Sequence, residues 1–155
     1  MKYSPAITTS MNEHKDYEFT YMGYYPWFIE GMPNMKFQRP LEIIEYFFAG
    51  GALRPQVVQV PLHDSNFNRC KSNIAWIEGS FWGAACLVPE FWGNLPGVIT
   101  YKDGDNEGYY KLLNELINDP DKCKELNEQS WNYIKENLLL TKVNKLRVDV
   151  VKSLL

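Results

Sequence analysis

Residues Val57–Val88 read VVQVPLHDSNFNRCKSNIAWIEGSFWGAACLV, and this stretch decides the fold. Val57-Val58-Gln59-Val60 is a short apolar run stopped by Pro61, and Ala85-Cys86-Leu87-Val88 is a second one stopped by Pro89. Runs that are apolar on both faces belong to central strands of a parallel sheet. Between them lies a polar loop, His63 to Asn68, and then a segment from Lys71 to Phe81 with Ile74, Ile77 and Phe81 at helical spacing, ended by Gly83. Strand, loop, helix and strand in that order predict a right-handed crossover between parallel strands.

The flanking sequence continues the pattern. Upstream, Tyr17–Gly23 alternates, with Phe19, Tyr21 and Gly23 against Glu18, Thr20 and Met22, a strand ending at a glycine. An aromatic loop follows (Tyr24, Tyr25, Trp27, Phe28), then a short strand at Met35–Gln38. Pro40 is expected in the first turn of a helix carrying Leu41, Ile44, Phe48 and Leu53, with Gly50-Gly51 ending or loosening it. Downstream, a second aromatic loop (Phe91-Trp92-Gly93) leads to a strand at Gly97–Thr100. Three helices are then expected. The first is capped by Asp105 or Asn106 and buries Tyr109, Leu112, Leu113, Leu116 and Ile117. The second has Asp119 as cap, Pro120 at its first position, and Cys123, Leu126, Tyr133 and Ile134 inward. Thr141 caps the last, which turns Val143, Leu146, Val150 and Leu154 inward and runs to Leu155. The expected architecture is α/β: a Rossmann-like parallel sheet with helices on both faces over residues 17–155, a helical C-terminus, and an irregular extension at 1–16. Ligands in such sheets sit at the carboxyl ends of the strands.

At 155 residues the chain is one domain of ordinary globular composition. Its net charge of −3 and its scattered basic residues argue against a free-standing nucleic-acid binder. No apolar run approaches the roughly 18 residues of a membrane span, and the start lacks the apolar stretch of a signal peptide. Three cysteines without a Cys-x-x-Cys pair point to a reducing, cytoplasmic compartment, and two histidines make a metal site an unfavoured reading.

The chemistry-bearing residues lie in the loop after Val60. A helix beginning near Asn68–Lys71 has unpaired amide N–H groups at its first turn, a site for anions. Lys71 and Ser72 add an ammonium and a hydroxyl there. Glu78 is seven residues after Lys71, two turns on and on the same face, where a carboxylate accepts from ribose or sugar hydroxyls. The plainer reading of the same residues is a capped helix with one solvated lysine and one glutamate. Cys70 reads as a nucleophile at a helix start or, better, as a structural thiol; His63 reads as a base, a sugar contact or a solvated loop residue.

The run Pro61-Leu62-x-Asp64-x-x-Phe67-Asn68-x-x-Lys71-Ser72-Asn73-Ile74, followed by Glu78 and Gly83, resembles the C-terminal half of GT-B, group-1-like glycosyltransferases. The likeness covers about residues 18–140. It implies a donor-binding half-domain. Glu78 matches the glutamate that holds the nucleotide ribose, Lys71 and Ser72 match the segment facing the diphosphate, and Asp64 and Asn68 line the same loop. A second glutamate that many relatives carry eight positions earlier is Cys70 here, the earlier phosphate-binding basic pair has no match, and the acceptor-binding half is absent. The resemblance therefore implies the nucleotide-sugar-binding half of a glycosyltransferase, working with a partner chain or a second copy, its donor substrate a nucleotide diphosphate sugar and no cofactor needed. The alternative is a catalytically silent module of the same kind that binds a nucleotide, a glycan or a protein. Both readings leave the aromatic loops and the last helix with an exposed apolar patch.

Overall fold

The structure, a computed structural model, describes residues 2–23 and 25–154. Tyr24, expected in the first aromatic loop, and Leu155, expected at the end of the last helix, lie outside them. The chain folds as α/β, with two small parallel sheets and seven α-helices among the described residues. β1 (Phe19–Met22) pairs with β2 (Met35–Gln38), Phe19 opposite Met35. β3 (Val57–Gln59), β4 (Ala85–Pro89) and β5 (Val98–Tyr101) form a three-stranded sheet in that order, with Val57 opposite Ala85 and Cys86 opposite Val98.

β4 is buried at every residue, as a central strand covered on both faces must be. Its alternation separates two cores. Ala85 and Leu87 face one cluster with Ile7, Met11, Leu113 and Leu116; Cys86 and Val88 face another with Trp76 and Ile134. The first cluster is built by α1 (Ser4–Glu13) and α5 (Asn106–Asn118). The second is built by α4 (Ile74–Phe81) and α6 (Pro120–Asn137). The caps of the two long helices are those the sequence predicts: Asp105 accepts from Gly108 N–H, and Asp119 accepts from Lys122 N–H.

Four expectations are corrected. Residues 1–16 are not an irregular extension. They contain α1, started by Pro5 in its first turn, and Tyr3, Ile7 and Met11 enter the main core. Tyr3 stacks on Tyr109 at 4.8 Å and meets Tyr101 edge-on at 4.9 Å. The helix after Pro40, α2 (Ile43–Leu53), starts three residues beyond that proline and runs through Gly50-Gly51 instead of stopping there. It ends at Arg54, whose φ of 47° is left-handed. Gly50 is required because the Trp82 ring lies where a β-carbon would be. The segment 68–81 is two helices, α3 (Asn66–Arg69) and α4, separated by a turn. Finally, α7 (Leu140–Ser153) buries none of its residues; Leu139, not Thr141, is its cap position, and Leu146, Val150 and Leu154 stay exposed.

Candidate functional site

The carboxyl ends of β3, β4 and β5 open together into a cleft of about 220 Å³, the place where open parallel sheets bind ligands. Leu62 follows β3, Pro89 ends β4 with Glu90 and Phe91 just after it, and Tyr101 ends β5 with Asp103 two residues beyond. The loop after β3 supplies Asp64 and, from α3, Arg69.

Local hydrogen bonds fix that loop. Ser65 caps α3, accepting from Asn68 N–H at 3.2 Å. The Asn68 side chain turns inward and donates to the His63 carbonyl at 2.8 Å. Tyr101 OH donates to the carbonyls of Val60 and Leu62, both at 2.7 Å, tying the exit of β3 to the end of β5. Arg69 grips Asp64 with two hydrogen bonds, 2.5 and 2.6 Å, and this pairing holds the Asp64 carboxyl below its usual range. Arg69 also lies 5.9 Å from the Phe91 ring centre.

Asp103 is the second organising group. It accepts from Lys2 Nζ at 2.6 Å, from Tyr3 OH at 3.0 Å and from Asp64 N–H at 3.0 Å. These donors, the Lys2 ammonium first, bring its carboxyl down to about 2. Three carboxylates (Asp64, Glu90, Asp103) thus line the cleft against one guanidinium, and Lys2 supplies a further cation to Asp103.

Of the five donor-binding candidates, Asp64, Asn68, Lys71, Ser72 and Glu78, only Asp64 lines this cleft. Asn68 is 5 % exposed and its amide is spent on the loop, so it supports the site and does not face a ligand. Lys71 and Ser72 are exposed as expected, but they stand in the turn before α4, not in a helical first turn. Lys71 Nζ rests 5.0 Å from the Phe67 ring centre. The two-turn relation between Lys71 and Glu78 does not exist, because α4 begins only at Ile74. Glu78 is half-buried beside α2, where it accepts from Tyr46 OH at 3.0 Å. Burial raises its carboxyl above the ordinary range, and the Tyr46 bond pulls the other way.

Arg69, Asp103 and Lys2 were not anticipated. Arg69 stands five residues after Asp64, a spacing with no signal of its own outside a known loop. Asp103 follows the last strand by two residues, the position where strand-end acids collect in such sheets. Lys2 carries no signal in the sequence, because its segment has no periodicity to place it. Cys70 is exposed, whereas Cys86 and Cys123 are buried; burial pushes the Cys86 thiol up to about 12. Among the described residues no group of three or more His, Cys, Asp or Glu is placed to hold a metal ion, and no helix is long and apolar enough to cross a membrane. No protein-family profile, curated protein or solved structure matches the chain.

Proposed function

We propose that the chain is the nucleotide-sugar-binding half of a GT-B-type glycosyltransferase. The observation that carries this reading is the position of the motif-bearing loop: it leaves a parallel strand, and its Leu62, Asp64 and Arg69 line a cleft at the carboxyl ends of three such strands. Lys71 and Ser72 on the exposed turn offer an ammonium and a hydroxyl to a diphosphate. Glu78 offers a carboxylate to ribose hydroxyls once Tyr46 yields its bond. Arg69 supplies a planar cation already held in place by Asp64. The protein's contribution to transfer is positioning and charge stabilisation of the leaving diphosphate, with the acceptor side brought by a partner chain or a second copy.

Titration calorimetry with uridine, guanosine and adenosine diphosphates tests the reading. At least one binds, and Lys71→Ala and Glu78→Gln each weaken it by about 1.5–3 kcal/mol, the range of a hydrogen bond to a charged group. Binding that both variants leave unchanged refutes the assignment. The acidic lining favours a second reading, a catalytically silent module whose ligand is a glycan. Carboxylates accept from sugar hydroxyls, and the Phe91 ring offers an apolar face. Retention of the chain on an oligosaccharide array, with no nucleotide bound, selects that reading.

A further inference from the structure

The two sheets end on edges that border one groove. In β1, Phe19 N–H donates to Asn34 O and Gly23 N–H donates to Gln38 O, so odd-numbered residues face β2. By the alternation of a strand, Thr20 and Met22 turn their N–H and C=O groups the other way. In β3, Val60 N–H donates to Leu87 O and Gln56 O accepts from Ala85 N–H, so even-numbered residues face β4, while Val57 and Gln59 turn away. β1 and β3 share no ladder, and both line a groove of about 530 Å³. Ile7, Met11, Leu113 and Ile117 cover one side of it; Tyr46 and Trp82 cover the other.

We propose that this groove seats an extended strand of a separate polypeptide, which pairs with β1 and β3 at once and joins the two sheets into one. Charge complementarity identifies the occupant: each wall presents alternating N–H and C=O partial charges, which a peptide backbone matches and a lipid or an apolar side chain does not. Among the described residues, the only charged side chains lining the groove are Glu18 and Arg54. Helices cover it on both sides, so the strand is apolar on both faces, a continuous Val/Ile/Leu run. A second copy of this chain is not the occupant. A strand bonded on two sides needs two free edges, and each of the five strands among the described residues already uses at least one. The inference concerns completion of the sheet and stands apart from the nucleotide reading.

Amide hydrogen exchange by NMR tests it on the intact chain. The probe is the synthetic peptide Lys-Lys-Val-Ile-Val-Ile-Val-Lys-Lys, blocked at both ends. At a hundred times its dissociation constant, exchange at the Thr20, Met22, Val57 and Gln59 amides slows by about a hundredfold. The same peptide with every amide of the Val-Ile-Val-Ile-Val run N-methylated, which blocks both edges, does not slow it. Four results each overturn the proposal: slow exchange at these amides in the free monomer, slowing that grows with protein concentration alone, equal slowing by the methylated peptide, or no slowing by the parent peptide.

Discussion

Gly97 is the point at which α6 is seated on the sheet, and replacing it by alanine tests that seating. Gly97 has a φ of +66° just before β5. A β-carbon there lies 2.5 Å from Ser130 N and 2.6 Å from Ser130 Oγ, and closer still to the Leu126 carbonyl oxygen. Two of these three atoms belong to helix backbone, so relief requires α6 to move and not merely a side chain to turn. The left-handed backbone costs an L-residue about 1–2 kcal/mol. Overpacking against a fixed neighbour costs about 1–3 kcal/mol more. Gly97→Ala is therefore expected to lose roughly 2–5 kcal/mol out of a total of about 5–15 for a domain. At about 2–4 °C per kcal/mol for a chain of this size, Tm falls by roughly 4–20 °C. Gly31 provides the control: its φ is +81°, and nothing lies within 4 Å of its missing β-carbon. Gly31→Ala carries the backbone cost alone, about 1–2 kcal/mol. Thermal and urea unfolding of the two variants give the comparison. Equal losses refute the close approach of α6 to Gly97.

Ser130→Ala removes the acceptor of the buried Trp76 Nε1–H and the donor to Pro96 and Gly97 carbonyls, and is expected to cost about 1–3 kcal/mol in urea unfolding. A thiol reagent reacts at once with Cys70 alone in the native chain and with all three cysteines after unfolding; more than one fast thiol in the native chain contradicts the burial of Cys86 and Cys123. Asp103 has a folded pKa depressed to about 2 from 3.8, so its contribution is complete above 3.8 and is lost as pH falls toward 2. Lys2→Met removes the largest cause, so the acid loss measured by thermal melts becomes smaller and is complete at a higher pH; an unmoved acid limb refutes the pairing. Glu78 has the opposite sign. Its folded pKa is raised, so ionisation above about 4.5 lowers stability, and Glu78→Gln is expected to flatten Tm against pH over that interval.

The elements written in two-residue alternation or in unbroken apolar runs were legible: β1 starts two residues after Tyr17, where its alternation begins, and β2, β3, β4 and β5 fall within a residue of where their patterns place them. So do α5 and α6, whose Asp caps carry their own signal. α1 was obscured by Thr8, Thr9 and Ser10, residues that favour turns. In the fold, Thr8 and Thr9 donate back to the carbonyls of Ser4 and Pro5, and Ser10 donates to Asn114, so their hydroxyls are satisfied within a helix. The break between α3 and α4 was not visible, because Ile74, Ile77 and Phe81 keep helical spacing right up to it. What shortens the first helix is a pair of local bonds that periodicity does not record: Ser65 caps it, and the Asn68 side chain is drawn back to the His63 carbonyl. That break is also why Lys71 and Glu78 do not share a helical face. The apolar stripe of α7 is as regular as that of α5, but periodicity records only that a helix has an apolar side, not that anything in the chain covers it.

The packing of α1 has a consequence for the order in which the molecule assembles during synthesis. Tyr3 and Ser10 bond to Asp103 and Asn114, about a hundred residues further along the chain. At a translation rate of about 5–20 residues per second, α1 leaves the ribosome roughly 5–20 s before its binding site exists. Ten residues are too few to hold a helix alone in water. α1, made long before residues 101–117, is thus placed only after them, and until they emerge its apolar row is open to chaperones and proteases.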